Sequence, residues 1–171
     1  MNHHSTELFI ENLVVPAGDL IGQEGLGFRH IIDSWNAERI LVGSEALGDG
    51  RWFVKRSAEY ATQRVVFGRP IGSNQGVMFP IAQAPARLEA ATLLRDKAAW
   101  LFDTNQRCGA EANIFKLPAS QAAWVAGNAA LEAQGGHGLA TGVTVAPRIA
   151  AKRERAGGPD GPDGQERTTE R

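Results

Sequence analysis

The sequence predicts a mainly α protein, an antiparallel bundle of long helices with a short N-terminal β-strand and a disordered C-terminal tail. Apolar residues recur at alternating spacings of three and four over much of the chain, which is the pattern of helices packed into a bundle. Segments rich in glycine and proline separate these stretches at short intervals. Short connections of this kind join helices that pack antiparallel.

Size and charge favour one globular domain with a small-molecule or protein partner. The chain has 171 residues, of which 43% are hydrophobic and 22% charged, as in ordinary domains with an apolar core. Its 18 basic and 19 acidic side chains nearly cancel, so we expect no broad attraction to nucleic acid or to an anionic membrane. One cysteine, Cys108, and the absence of a signal-peptide pattern indicate a cytoplasmic protein.

Residues 1–25 are expected to hold a short strand followed by a linker. Residues 7–16 are rich in β-branched and aromatic side chains and stop at a proline, which is typical of a strand. A partner strand is not evident. Gly18, Gly22 and Gly25 then mark the linker before the helical region.

A long first helix is predicted from about Leu26 to Tyr60. Three glycines between positions 43 and 50 weaken the helical pattern locally without ending it. The first apolar side chains gather on one face of a 3.6-residue helix: Phe28, Ile31, Ile32 and Trp35.

The second helix has the clearest periodicity in the chain. It follows residues 67–72, where Pro70 lies between two glycines and favours a turn over continued helix. Its apolar seam predicts packing along one side throughout its length. The seam consists of Val77, Ile81, Ala84, Leu88, Ala91, Leu94, Ala98 and Leu101.

A third, alanine-rich helix is predicted over about residues 110–134, ended by Gly135 and Gly136. Pro85 and Pro118 fall inside the second and third helices, where each removes a backbone donor and costs about 3 kcal/mol unless a kink absorbs it. After Ala151 hardly any apolar side chain remains to offset the entropy of ordering. Residues 152–171 are therefore predicted to be disordered.

Several motifs, in order and at matching spacing, resemble the acyl-CoA dehydrogenase family. The most specific is Arg64-Val-Val-Phe67-Gly-Arg-Pro-Ile, followed by Gln75. The resemblance extends over about residues 7–150. The other matching segments are VPAGDLIGQEG at 15–25, NAERI at 36–40, YA at 60–61 and GGHG at 135–138.

The resemblance implies part of a three-part fold, which comprises an N-terminal helical domain, a central β-domain and a C-terminal four-helix domain that drives dimer or tetramer assembly. Residues 1–25 are similar to the end of the β-domain and its linker, and residues 26–151 to the C-terminal helical domain. Residues 152–171 form the tail. The chain is thus expected to be cut short at both ends.

The resemblance also implies a reaction, in which a carboxylate removes the α-proton of an acyl-CoA thioester while the β-hydrogen leaves as hydride to FAD. Burial makes a carboxylate a stronger base, so the base should be desolvated. Many members carry it in a Glu-Gly-Thr segment, which this sequence lacks, whereas the isovaleryl and long-chain types place it before a helix arginine. Glu38 before Arg39 matches that second position. Glu38 is therefore the candidate base and Arg39 a candidate CoA-binding residue, although composition alone would make both a solvated helix face.

Arg64, Phe67 and Gln75 match positions that contact FAD, and in the family they reach the flavin of a neighbouring subunit. A guanidinium suits a pyrophosphate because its fixed fork of donors pairs with phosphate oxygens. An alternative from the residues alone is that Arg64 offsets the negative end of its helix and Phe67 fills the core.

Gly135 and Gly136 would let the backbone approach the same pyrophosphate. Glu132 stands where the family usually has glutamine, and its charge would repel a diphosphate. No metal site is expected, because the four histidines and Cys108 lack metal-ligand spacing.

The resemblance therefore implies an FAD-dependent acyl-CoA dehydrogenase that is not active alone. Its expected partners are an acyl-CoA substrate and either further copies of this chain or a complementing dehydrogenase chain. Two alternatives stay open. One is a non-catalytic helical oligomerisation module, and the other is a complementing subunit of a split dehydrogenase.

Overall fold

A computed structural model of the protein describes residues 8–140 and 145–155. Three long helices, α1 (Gly27–Gln63), α2 (Gln75–Asp103) and α3 (Gly109–Gln134), pack against one another, and a shorter α4 (Val145–Arg155) follows. Successive long helices run antiparallel, as the short connections require. The predicted helical bundle is confirmed.

Side chains of neighbouring helices approach the backbone of α1 closely at two of its three central glycines. A Cβ on Gly43 would lie 2.5 Å from the Phe115 ring of α3, and one on Gly50 would lie 2.5 Å from Leu88 of α2. Gly48 is exposed, and a Cβ there would meet nothing within 4 Å. Packing therefore requires glycine at positions 43 and 50 but not at position 48.

This difference predicts opposite effects of the same substitution. Gly43→Ala should lower the free energy of unfolding by about 1–3 kcal/mol, because the added methyl group overlaps a buried ring. Gly48→Ala should raise it by about 0.5–1 kcal/mol, because alanine loses less backbone entropy in a helix. Urea denaturation of both variants measures the two changes, and changes of the same sign would contradict the packing described here.

The core consists of two adjoining clusters along α3. One gathers Leu47 of α1, Leu88 of α2 and Phe115 of α3 with intervening alanines. The other joins Phe53 of α1 to Val145 of α4 and neighbouring residues. Every residue of the predicted α2 seam is buried or half-buried, which confirms the periodicity.

Helix α4 is fastened to α1 by Arg148. Its guanidinium donates hydrogen bonds to Asp49 Oδ1 at 2.6 and 3.1 Å and lies over the Trp52 ring, with 4.7 Å from Cζ to the ring centroid. Ile149 packs beside Gly127, where a Cβ would be 3.3 Å from the isoleucine side chain. Polar and apolar contacts together hold α4 to the bundle.

A small hairpin connects α1 to α2. Strands β1 (Val65–Val66) and β2 (Arg69–Pro70) pair antiparallel. Phe67 and Gly68 form the two-residue turn, with φ of 52° and 77°. Positive φ at both central residues is what a tight type I′ hairpin requires. The predicted helix break at 67–72 is confirmed, and it takes the form of a hairpin.

Two expectations at the ends of the chain need correction. Residues 8–16 form no strand. A strand needs a hydrogen-bonded partner, and none pairs with them within residues 8–140 and 145–155. Asn12, with φ of 52°, also interrupts the extended backbone. The prediction of disorder is also wrong at 152–155, where the helical backbone of α4 continues. Lysine, arginine and glutamate in this segment favour helix. The rest of that tail, 156–171, lies outside the described residues.

The internal prolines do not divide their helices. Pro85 lies within α2, together with Pro80, and Pro118 lies within α3. Both helices continue on either side of these residues. Burial of their apolar faces outweighs the local loss of backbone hydrogen bonds.

Candidate functional site

The candidate residues divide into two groups at opposite ends of α1. Glu38 and Arg39 lie in its first half, whereas Arg64 directly follows its last residue. Since a helix rises about 1.5 Å per residue, Glu38 and Arg64 are separated by about 39 Å along the axis. We call the surface around Glu38 and Arg39 the base site. The surface around Arg64, Phe67, Gln75, Gly135 and Gly136 is called the hairpin site.

Glu38 projects from α1 as an exposed side chain. Among the described residues it makes no hydrogen bond or ion pair. The shielding from water that a catalytic base needs is therefore not supplied by these residues.

Arg39, by contrast, is half-buried and held in place. Its Nη1 donates a hydrogen bond to Asn36 Oδ1 at 2.9 Å and a longer one to the Ile32 carbonyl oxygen at 3.4 Å. The guanidinium also lies 5.8 Å from the centre of the Trp35 ring. These contacts turn the side chain back along α1.

A cavity of about 690 Å³ lies beside the base site, between the first half of α1 and the connection from α2 to α3. Asn36 and Cys108 are the buried side chains of its lining, and Arg29 and Arg107 bring positive charge. No sequence motif indicates this cavity. It forms where the connection between α2 and α3 packs against α1, and the sequence of that connection has no periodic pattern.

Glu111 closes one side of the cavity in the first turn of α3. A hydrogen bond from its own backbone N–H lowers the pKa of its carboxyl group, and Lys97 Nζ, at 3.3 Å, adds to the effect. Because folding lowers this pKa, the carboxylate stabilises the fold above its unfolded pKa and loses that effect as the pH falls.

At the hairpin site, a ring stack brings two distant motifs together. Tyr60 stacks on His137 with centroids 5.6 Å apart and an interplanar angle of 14°. Arg64 donates its backbone N–H to the Tyr60 carbonyl oxygen at 2.9 Å. The 3-10 turn Gly135–Leu139 thus lies beside the end of α1 that carries Arg64.

Phe67 does not fill the core. It is 100% exposed at the tip of the hairpin, in a left-handed conformation that is unusual for a bulky residue. Arg64 and Gln75 are also exposed, and the Arg64 guanidinium has no partner among the described residues. These side chains are therefore available to a group outside the described part of the chain.

The paired glycines leave an open backbone surface. A Cβ on Gly135 or Gly136 would meet nothing within 4 Å, so internal packing does not require glycine at 136. An unpaired guanidinium, an exposed aromatic ring and an accessible glycine turn suit a cofactor that carries a diphosphate, such as FAD. Glu132, exposed one turn earlier, adds one unfavourable charge.

Gln134, next to these glycines, is a further residue that no sequence motif indicates. Its side chain is buried, and its Oε1 is the one buried side-chain polar atom of residues 8–140 and 145–150 that lacks a hydrogen-bond partner. Across the same described ranges, three or more potential metal-ligating side chains never gather. None of the described helices combines the length and apolar character needed to span a bilayer.

Comparisons with known proteins agree with this architecture. Residues 25–162 match the family described as the C-terminal domain of acyl-CoA dehydrogenase. An acyl-CoA dehydrogenase of Bacillus subtilis is 41% identical over 79% of this chain and 36% of its own.

Solved structures are similar as well. Butyryl-CoA dehydrogenase from Megasphaera elsdenii superposes with a TM-score of 0.75 and 32% identity, covering 79% of this chain and 35% of that one. The FAD complex of PigA gives 0.75 and 27%, covering 81% and 36%. The chain thus spans about a third of the length of these proteins. Because the family match covers most of its residues, the chain belongs to the acyl-CoA dehydrogenase family.

Proposed function

We propose that this chain supplies the C-terminal helical part of an FAD-dependent acyl-CoA dehydrogenase, which catalyses α,β-dehydrogenation of an acyl-CoA thioester in the cytoplasm. The observation that carries the proposal is the placement of the base site and the hairpin site at the two ends of α1. Family membership and the CoA thioester named for the Megasphaera elsdenii relative support it.

At the base site, Glu38 takes the α-proton of the substrate, and Arg39 binds the CoA part. Bound FAD supplies the acceptor for the hydride that leaves the β-carbon. Glu38 is exposed in the described chain, so the surface that shields it from water comes from elsewhere in the active assembly. The chain alone is therefore expected to be inactive.

At the hairpin site, Arg64, Phe67 and Gln75, with the turn at Gly135 and Gly136, would hold an FAD that serves the base site of another chain. The separation of about 39 Å between Glu38 and Arg64 supports this division, because one cofactor molecule does not extend over that length of helix. The partner is a second copy of this chain or a complementing dehydrogenase chain.

Exposed apolar side chains favour such an assembly. Leu93 and Trp100 are exposed seven residues apart on one face of α2, and Leu117 and Trp124 repeat that spacing on α3. Exposed aromatic side chains such as these tryptophans are typical of protein interaction surfaces.

FAD binding at the hairpin site is tested by gel filtration, with visible absorbance measuring the flavin that stays with the protein. We expect Arg64→Ala to weaken FAD binding at least about tenfold, because a charge-assisted hydrogen bond to phosphate is lost. Arg87→Ala is the matched control, since Arg87 is also exposed and unpaired among the described residues. Binding is measured for the chain alone and after addition of the remaining two thirds of the Bacillus subtilis relative.

The result also separates the alternatives. Equal loss in both variants would show that Arg64 does not contact the cofactor. Stable oligomers that retain no flavin under either condition would favour a non-catalytic assembly module, which the exposed leucine and tryptophan side chains of α2 and α3 also support. Retention only with the added chain would favour a complementing subunit.

A further inference from the structure

Asn36 is placed to fix the orientation of Arg39. We propose that Asn36 is a positioning residue, which holds the Arg39 guanidinium ready for the CoA part of the substrate. This inference rests on the proposed function of the base site. Asn36 has no assigned role in the sequence motifs, so its positioning of Arg39 is an addition to the base site.

The contact between the two side chains is short and directional. Arg39 Nη1 donates to Asn36 Oδ1 at 2.9 Å, whereas its second acceptor, the Ile32 carbonyl oxygen, lies at 3.4 Å. Hydrogen bonds from a charged donor are stronger than neutral ones, and their strength falls as they lengthen. Asn36 is therefore the principal anchor of the guanidinium.

Asn36 is itself immobilised by the bundle. Its side chain is only 8% exposed, and both amide heteroatoms lie 3.6 Å from the position of a Cβ on Gly109. Gly109 begins α3, so the anchor joins a partly exposed arginine to the packed start of another helix. Arg39 thus gains a fixed geometry that an isolated side chain on α1 would lack.

Only the oxygen of the Asn36 amide takes part. Within the described residues, the side chain of Asn36 makes one hydrogen bond, which Oδ1 accepts from Arg39, and Nδ2 donates none. An aspartate carries an acceptor oxygen at the same place and should preserve the function. Alanine removes the acceptor and frees Arg39 to rotate.

Calorimetric titration with CoA tests the proposal on the full chain and on four variants: Asn36→Ala, Asn36→Asp, Arg39→Ala and the Asn36→Ala/Arg39→Ala double variant. We expect Arg39→Ala to raise the Kd at least about tenfold and Asn36→Ala about threefold or more. Asn36→Asp should stay within about twofold of the unmodified chain. The double variant should bind as Arg39→Ala does, because Asn36 acts only through Arg39.

A second readout follows the arginine directly. The Arg39 side-chain NMR signal should report an ordered guanidinium in the unmodified chain and in Asn36→Asp, and a mobile one in Asn36→Ala. A purely structural role of Asn36 would instead lower the melting temperature without coupling to Arg39.

Different outcomes would contradict the positioning role of Asn36 and the CoA-binding role of Arg39. An unchanged Kd in Asn36→Ala, or a further loss when it is added to Arg39→Ala, overturns the positioning role alone. Failure of the unmodified chain to bind CoA, or an unchanged Kd in Arg39→Ala, removes the proposed role of Arg39 and the positioning role with it.

Discussion

Replacement of Phe115 by alanine is expected to lower the free energy of unfolding by about 3–5 kcal/mol. The ring is fully buried, in the cluster that joins the three long helices, and it packs directly against the backbone of Gly43. Removing it leaves a cavity that the surrounding leucines and alanines, held on packed helices, can fill only in part.

Urea denaturation measures this loss, with Ile114→Ala as the matched control. Ile114 precedes Phe115 on α3 but is 58% exposed. Its truncation should change the free energy of unfolding by less than about 1 kcal/mol. Comparable losses in the two variants would show that the inward face of α3 has been assigned incorrectly.

Glu38→Gln is expected to reduce turnover at least about a hundredfold in a completed enzyme, because glutamine cannot accept the α-proton. A suitable assay protein joins this chain to the part of the Bacillus subtilis relative that precedes the matching region. Glutamine keeps the shape of the side chain, so substrate and flavin affinities should remain close to those of the parent chimera.

Glu45→Gln provides the control for loss of a carboxylate from the same helix. Glu45 is exposed and lies two turns further along α1, on the same face as Glu38. Its replacement should leave turnover nearly unchanged. If Glu38→Gln also retained full turnover, the base would have to be sought in another segment.

The long helices could be predicted because their burial follows a period that the sequence displays. Val77 to Leu101 form one seam, and each of its members lies buried or half-buried in α2. The hairpin could not be predicted as strands, since two residues per strand are too few to show alternation. Within residues 145–150 of α4, whose burial the structure describes, Val145 and Ile149 are the only buried apolar positions.

The candidate site was predictable only where a motif preserves it. The resemblance located Glu38, Arg39 and Arg64 by their spacing within one continuous helix and its end. Asn36 lies in the same motif, yet its role depends on Gly109, which is 73 positions away and reaches it through the fold of α2 and α3. Contacts of this kind leave no trace in local periodicity.

The stack of Tyr60 on His137 has the same origin. The two rings meet because the turn after α3 returns to the end of α1, and nothing in their two separate motifs indicates that they touch. Conversely, the strand expected at 7–16 reflects a real local preference that tertiary structure does not satisfy.

The continuous helix between Glu38 and Arg64 also restricts how the gene can change length. Deleting one codon within it would turn everything beyond by about 100° and shorten it by about 1.5 Å. Loss of seven residues would leave the side chains on nearly the same faces of the helix, but it would shorten the distance between the base site and the hairpin site by about 10 Å. Related proteins that keep both sites should therefore keep the length of this helix, while insertions and deletions accumulate in the connections outside it.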